Sequence, residues 1–125
     1  MRDAVPHRVT DTRRHIKSVL HSGHVQPWAK RCVTECYERY DTAEIFVDSL
    51  ANKYRLKDFV NADFYDVALI NSMGFCLEAF QKDSQNSPVG GCGGGVSPFS
   101  ARNNNTIQLA GMVQAVISLL RGVLH

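Results

Sequence analysis

The side chains that could support catalysis or metal binding are scattered along the chain. The five histidines lie near its two ends, at His7, His15, His21, His24 and His125. His21 and His24 are three residues apart and could share a metal ion, but Gly23 is expected to end the helix between them. The serines lack the sequence of a nucleophile elbow, and no His-Glu-x-x-His motif occurs. The sequence therefore predicts no catalytic residues, no metal site and no cofactor.

The four cysteines are the remaining reactive side chains, and their spacing favours a structural role. Cys36 and Cys76 lie twenty residues before and after Leu56, so they reach the same height on two antiparallel helices. Such a pair can meet the Cα separation of a disulfide, about 4.4 to 6.8 Å. Cys32 could form a second pair with Cys92. Disulfides indicate an oxidising compartment.

Two long amphipathic helices must position Cys36 and Cys76. Residues of one helix face, spaced by three or four, are Val33, Tyr37, Tyr40, Ala43, Val47, Leu50 and Tyr54, and then Phe59, Ala62, Tyr65, Leu69, Met73, Cys76 and Phe80. Pro27 suits the first turn of the first helix. Asp58 is a favourable N-cap for the second, which is predicted to run to about Lys82. The short charged stretch between them predicts an antiparallel hairpin.

A shorter helix is predicted before the hairpin and a longer one at the end of the chain. Thr10 or Asp11 can cap the first, which should end at Gly23, and residues 1–9 are predicted to be a disordered tail. The last helix is predicted to start near Asn105. Asn104 begins an N-glycosylation sequon, which has meaning only in a secreted protein.

The segment 83–98 is rich in glycine, serine and proline and is predicted to be a flexible loop. Its glycines could suggest a phosphate-binding loop. That interpretation is rejected, because the segment lacks a Gly-Lys-Ser or Gly-Lys-Thr ending and no strand precedes it. Cys92 belongs to this loop.

These elements predict one all-α domain over residues 10–125, an antiparallel up-down-up-down four-helix bundle. The first helix is expected to be about half as long as the next two, roughly 20 Å against roughly 40 Å. Part of the apolar face of the hairpin is then left uncovered. We expect either missing N-terminal residues or a partner on that face, for which a homodimer is one option.

The charge distribution does not favour nucleic acid or membranes. Residues 1–31 carry seven Lys and Arg against Asp3 and Asp11, whereas the remainder has seven basic and ten acidic residues. The basic segment contains one aromatic residue, Trp28, and no nucleic-acid-binding motif. No run of eighteen apolar residues predicts a membrane span. The chain opens without an apolar signal segment, so we expect a processed or incomplete form.

The hairpin and the segments that follow it resemble the plant invertase and pectin methylesterase inhibitor family. The matching residues, in order, are Cys36, Tyr40, Ala43, Asp58, Phe59, Ala62, Cys76, Ser97 and Pro98. The resemblance covers about residues 14–121. It implies a helical bundle that inhibits acid invertase or pectin methylesterase in a one-to-one complex, without catalysis or cofactor. It also implies secretion to the cell wall, the apoplast or the vacuole.

The resemblance also indicates where the target enzyme would bind. Invertase-inhibiting members carry Pro-Lys-Phe at the turn between the paired helices, whereas this chain has Lys57, Asp58 and Phe59 there, without the proline and with the lysine displaced by one. These three residues are the predicted enzyme interface. Phe59 could instead be a core residue that closes the end of the hairpin.

Two departures from the family leave a second function open. The family's N-terminal helical hairpin is missing, and Cys32 and Cys92 lie outside the family pattern. The chain is therefore expected to be a truncated member. The alternative is a non-inhibitory, degenerate bundle that serves as an interaction or structural module.

Overall fold

The protein folds into four helices. The computed structural model describes residues 4–25, 27–86 and 98–124, without the side chains of residues 4, 28, 81–86, 123 and 124. The helices are α1 (Ala4–His21), α2 (Pro27–Arg55), α3 (Phe59–Asn86) and α4 (Ser100–Leu124). No strand occurs within those ranges, so the all-α prediction is confirmed. No stretch of the described helices has both the length and the hydropathy of a membrane span.

The helices form a closed ring in which each packs on two neighbours: α1 on α2, α2 on α3, α3 on α4, and α4 on α1. Contacts between helix ends give their directions. Arg121, near the end of α4, reaches Asp63, near the start of α3, at 3.1 Å. The ring of His15, late in α1, lies 5.7 Å from that of Phe99, directly before α4. Neighbouring helices are therefore antiparallel, and the predicted four-helix bundle is confirmed.

The core lies along the axis of the bundle and uses the predicted inner faces. Its largest fully buried apolar side chains are Tyr40, Phe80, Phe99, Ile16, Leu69, Met73 and Ile117. The hydroxyl of Tyr40 donates a hydrogen bond to the side-chain oxygen of Asn103, which links α2 to α4 across the core. Burial raises the pKa of Tyr40, so the hydroxyl keeps its proton and remains a donor.

The disulfide predicted from equal heights on the hairpin is confirmed. Cys36 and Cys76 are bonded, with 2.08 Å between their sulfur atoms and 4.5 Å between their Cα atoms. Cys32 is also disulfide-bonded. Its predicted partner, Cys92, lies outside the described residues, as do residues 87–97 of the predicted loop. That second pairing stays a prediction.

The predicted tail over residues 1–9 is wrong for residues 4–9, which form the first turns of α1. Val5 and Val9 are buried on the same face as Ile16, so this turn is held by the core. Pro6 is tolerated because the first helical turn needs no N–H donor at that position. With 18 residues against 29 in α2, α1 spans about 27 Å against about 43 Å. The first helix is therefore shorter than its neighbours, but longer than predicted.

The predicted boundaries of α3 and α4 also need correction. α3 continues to Asn86 rather than Lys82, and α4 begins at Ser100 rather than near Asn105. The start of α4 was missed because its inward side chains are polar. Asn103 bonds to Tyr40, and the hydroxyl of Thr106 donates to the carbonyl of Arg102 at 2.9 Å. Asn104 is exposed in this helix, and its glycosylation stays a prediction.

Candidate functional site

The α2–α3 turn, residues 56–58, has a fixed backbone shape. The N–H of Lys57 donates to the carbonyl of Tyr54 at 3.0 Å. The N–H of Asp58 donates to the carbonyl of Lys53 at 2.9 Å. These two bonds are those of a Schellman motif, whose C′ residue adopts the left-handed conformation. Here that residue is Lys57, with a φ of 60°, at a position where glycine is usual.

Phe59 belongs to the core and not to the exposed part of the turn. It is 8% exposed, and its ring lies 5.6 Å from that of Tyr54 in an edge-to-face arrangement. This is the geometry that aromatic pairs favour. Of the two roles predicted for Phe59, the structure therefore favours the one that closes the end of the hairpin.

Asp58 holds the start of α3 in place. One carboxylate oxygen accepts the backbone N–H of Asn61 at 3.4 Å, and the other accepts the side-chain amide of Asn61 at 2.7 Å. Lys53 lies 3.9 Å from the same carboxylate. The hydrogen bond from Asn61 is the main cause that lowers the pKa of Asp58. The charge of Asp58 is therefore used within the hairpin as a helix cap.

Lys57 is the cation that the turn exposes to a binding partner. Among the described residues it has no ion-pair partner, and its side chain is exposed. Leu56 and Val60 flank it and are 64% and 50% exposed. Neither residue was identified from the sequence, because neither belongs to the series of inward-facing residues spaced by three or four. An apolar residue outside that series was the signal that could have identified them. The tip of the hairpin thus exposes one cation and, on either side of it in the sequence, two apolar side chains.

A buried acid, Asp66, lies about two helical turns into α3, and the sequence analysis did not identify it. Asp66 is fully buried, and neither carboxylate oxygen has a hydrogen-bond partner among the described residues. The nearby Asp63 has a partner, since it pairs with Arg121. Burial first, and then the charge of Asp63, raises the pKa of Asp66 to about 7. Asp66 lies four residues after Ala62 and three before Leu69, both on the inner face of α3. That spacing was the sequence signal that its side chain faces inward.

The histidines do not converge on a site within the described ranges. His15 packs against Phe99, and burial, followed by the charge of Arg102, lowers the pKa of His15. His7, His21 and His24 are exposed. No cluster of three or more His, Cys, Asp or Glu residues that could hold a metal occurs in the part of the chain that the structure describes.

No family model matches the chain, and neither does any curated protein or any solved structure.

Proposed function

We propose that this protein inhibits a plant carbohydrate-active enzyme, acid invertase or pectin methylesterase, by forming a one-to-one complex. The observation that carries the proposal is the hairpin: a disulfide joins α2 to α3, and a Schellman turn at the opposite end presents Lys57 to solvent. The ordered match of hairpin residues to the inhibitor family supports the same function. Secretion to the cell wall, apoplast or vacuole is part of the proposal, and the disulfide supports it.

The chemistry of the turn suits an acidic cleft. Glycoside hydrolases typically use a pair of Asp or Glu residues that flank the scissile bond. A lysine between two apolar side chains can place its ammonium group near such carboxylates, while Leu56 and Val60 cover the rim. Because the turn is already ordered, its binding to an enzyme costs less conformational entropy than the binding of a flexible loop would. Invertase is a glycoside hydrolase, so the chemistry of the turn slightly favours invertase over pectin methylesterase as the target.

We expect Lys57→Gly to weaken inhibition at least tenfold, as removal of a central interface residue does (about 1.4 kcal/mol or more). Glycine accepts the φ of 60° without strain, so the variant should melt at the same temperature as the wild type or slightly higher. The measurement is residual enzyme activity against inhibitor concentration at acidic pH, run with both enzymes in parallel.

Two control variants separate contact from packing. Lys17→Ala removes an exposed cation from α1 and should inhibit like the wild type. Phe59→Ala should lower the melting temperature, because Phe59 is a core residue. Full activity of both enzymes at micromolar protein would refute the proposed function. Inhibition that survives Lys57→Gly would move the interface away from the turn.

One observation favours the alternative, a non-inhibitory bundle that serves as an interaction or structural module. The outward face of α3 carries exposed apolar side chains, among them Phe64 at 63% exposure. An interaction module needs such a surface, whereas an inhibitor that acts through its turn does not.

A further inference from the structure

The outward face of α3 carries an apolar stripe formed by Val60, Phe64, Val67 and Phe75. They are 50%, 63%, 37% and 42% exposed, respectively. Their spacing keeps them on one side of the helix, and the exposed Asn71 continues the same line between Val67 and Phe75. We call these five residues the α3 stripe.

The α3 stripe points away from the bundle. The opposite side of α3 is buried in the core and includes Leu69 and Met73. Contacts to α2 and α4 lie on the two flanks: Ser72 donates to the carbonyl of Arg39 of α2, and Asp63 pairs with Arg121 of α4. The guanidinium of Arg39 also lies over the ring of Phe75, 4.6 Å from its centroid, so one face of that ring is covered by α2. α3 is therefore apolar on two opposite sides, and a helix of this kind is usually buried on both.

The first four residues of the α3 stripe have the spacing of a coiled-coil seam, and Phe75 lies beside that seam. Val60, Phe64, Val67 and Asn71 are four, three and four residues apart, the alternation of a and d positions. The pattern thus favours another helix as the partner of this face.

The two ends of the α3 stripe carry opposite charges. Lys57 precedes it, and Glu78 lies three residues beyond Phe75 on the same line. Both side chains are exposed, and neither has an ion-pair partner among the described residues. Arg39 of α2 lies beside the end that carries Glu78, but it pairs with Glu35 of its own helix at 3.8 Å. A stripe with Lys57 at one end and Glu78 at the other is complementary to itself when it is turned end to end, which is the requirement for a two-fold interface.

We propose that a second copy of this chain binds on the α3 stripe, with the two α3 helices antiparallel. With the two-fold axis between Val67 and Ala68, Phe64 faces the partner's Asn71 and Val60 faces the partner's Phe75. The same register places Lys57 against the partner's Glu78, twice in the dimer. This register therefore combines one apolar pair, Val60 with Phe75, with one charged pair, Lys57 with Glu78, while Phe64 packs on the side chain of Asn71.

The size of the surface sets the strength of the dimer. The apolar side chains of the α3 stripe expose roughly 350 Å² per subunit, against about 800 Å² per partner in a standard interface. The flanking polar residues must supply the remainder, so the dimer should form at micromolar or higher concentration. Lys57 belongs both to this interface and to the proposed inhibitory turn, so dimerisation should compete with enzyme binding.

The test is the concentration dependence of mass in sedimentation equilibrium, using the full chain. The wild type should change from monomer to dimer with rising concentration. Val67→Glu places two like charges at the two-fold axis and should remain monomeric. Leu119→Glu, a matched change of a 72% exposed residue on α4, should leave the dimer unchanged. Circular dichroism checks that each variant is folded.

Charge reversal tests the register. Lys57→Glu and Glu78→Lys should each weaken the dimer about tenfold, and the double variant should restore it, because the reversed ends again match. Val67→Cys should cross-link the two copies through a disulfide under oxidising conditions, whereas Leu119→Cys should not.

A protein that stays monomeric at every concentration would overturn the dimer, and so would a dimer that Val67→Glu leaves intact. Loss of affinity in the double charge variant would overturn the antiparallel register. The proposed function is tested separately, because enzyme inhibition and mass are independent measurements.

Discussion

Asp66→Asn is expected to stabilise the protein at neutral pH and to leave its stability almost unchanged near pH 4. Burial and Asp63 raise the pKa of Asp66 to about 7 in the folded state, against an ordinary value of 3.8. The folded protein therefore holds a proton that the unfolded chain loses as the pH rises. As far as Asp66 is concerned, the free energy of unfolding is highest below about pH 4, falls as the pH rises toward 7, and is constant above that. The total loss is at most on the order of 4 kcal/mol.

Asparagine has the shape of the protonated acid and does not ionise, so the variant should lack this loss. The measurement is the melting temperature of both proteins between pH 4 and 8. His15 works in the opposite direction, because its lowered pKa destabilises the fold as the pH falls. Both proteins share that effect, and their difference isolates Asp66. Asp48→Asn, an exposed carboxylate on α2, is the matched control. A difference in melting temperature that stays constant across this range would contradict the prediction.

Replacing Cys36 and Cys76 together with alanine is expected to destabilise the protein by on the order of 4 kcal/mol. The bond closes a loop of 40 residues. In the chain-entropy model, removing it raises the conformational entropy of the unfolded chain and so lowers the free energy of unfolding by that amount. Both positions are fully buried, so lost packing adds to the effect. The measurement is unfolding in guanidinium chloride, with the midpoint and slope determined for both proteins.

The double variant avoids an unpaired thiol, which a single replacement would leave free to exchange with the disulfide of Cys32. Wild-type protein unfolded with and without a reducing agent provides the comparison, since the reductant opens every disulfide. A change below about 1 kcal/mol in the double variant would show that the unfolded hairpin is already compact without the bond.

The sequence was most informative where the inward-facing positions are apolar and where a proline or a capping residue marks a helix boundary. The hairpin met both conditions: Pro27 starts α2, and Asp58 caps α3. The start of α4 was missed because polar side chains face the core there, whereas the start of α1 was missed although Val5 and Val9 face the core. Asn103 and Thr106 are buried with hydrogen bonds that only the folded structure reveals.

The candidate site was predicted only in part. Lys57 was predicted from the resemblance to the inhibitor family, but nothing in the sequence indicated its left-handed backbone, since glycine is the usual residue there. The role of Phe59 depended on whether Tyr54 lay beside it, which is a contact between two helices. The α3 stripe was missed for a different reason. Periodicity identifies one apolar face, and α3 has two.

The covalent link between α2 and α3 also determines what happens when the chain is opened at its exposed turn. A protease that cleaved after Lys57 would separate the sequence into two fragments, yet the Cys36–Cys76 bond would keep them together until a thiol was added. The cleaved protein could keep the bundle, because most of the packing lies along the helices. The turn is therefore a suitable place for new termini in a circularly permuted form.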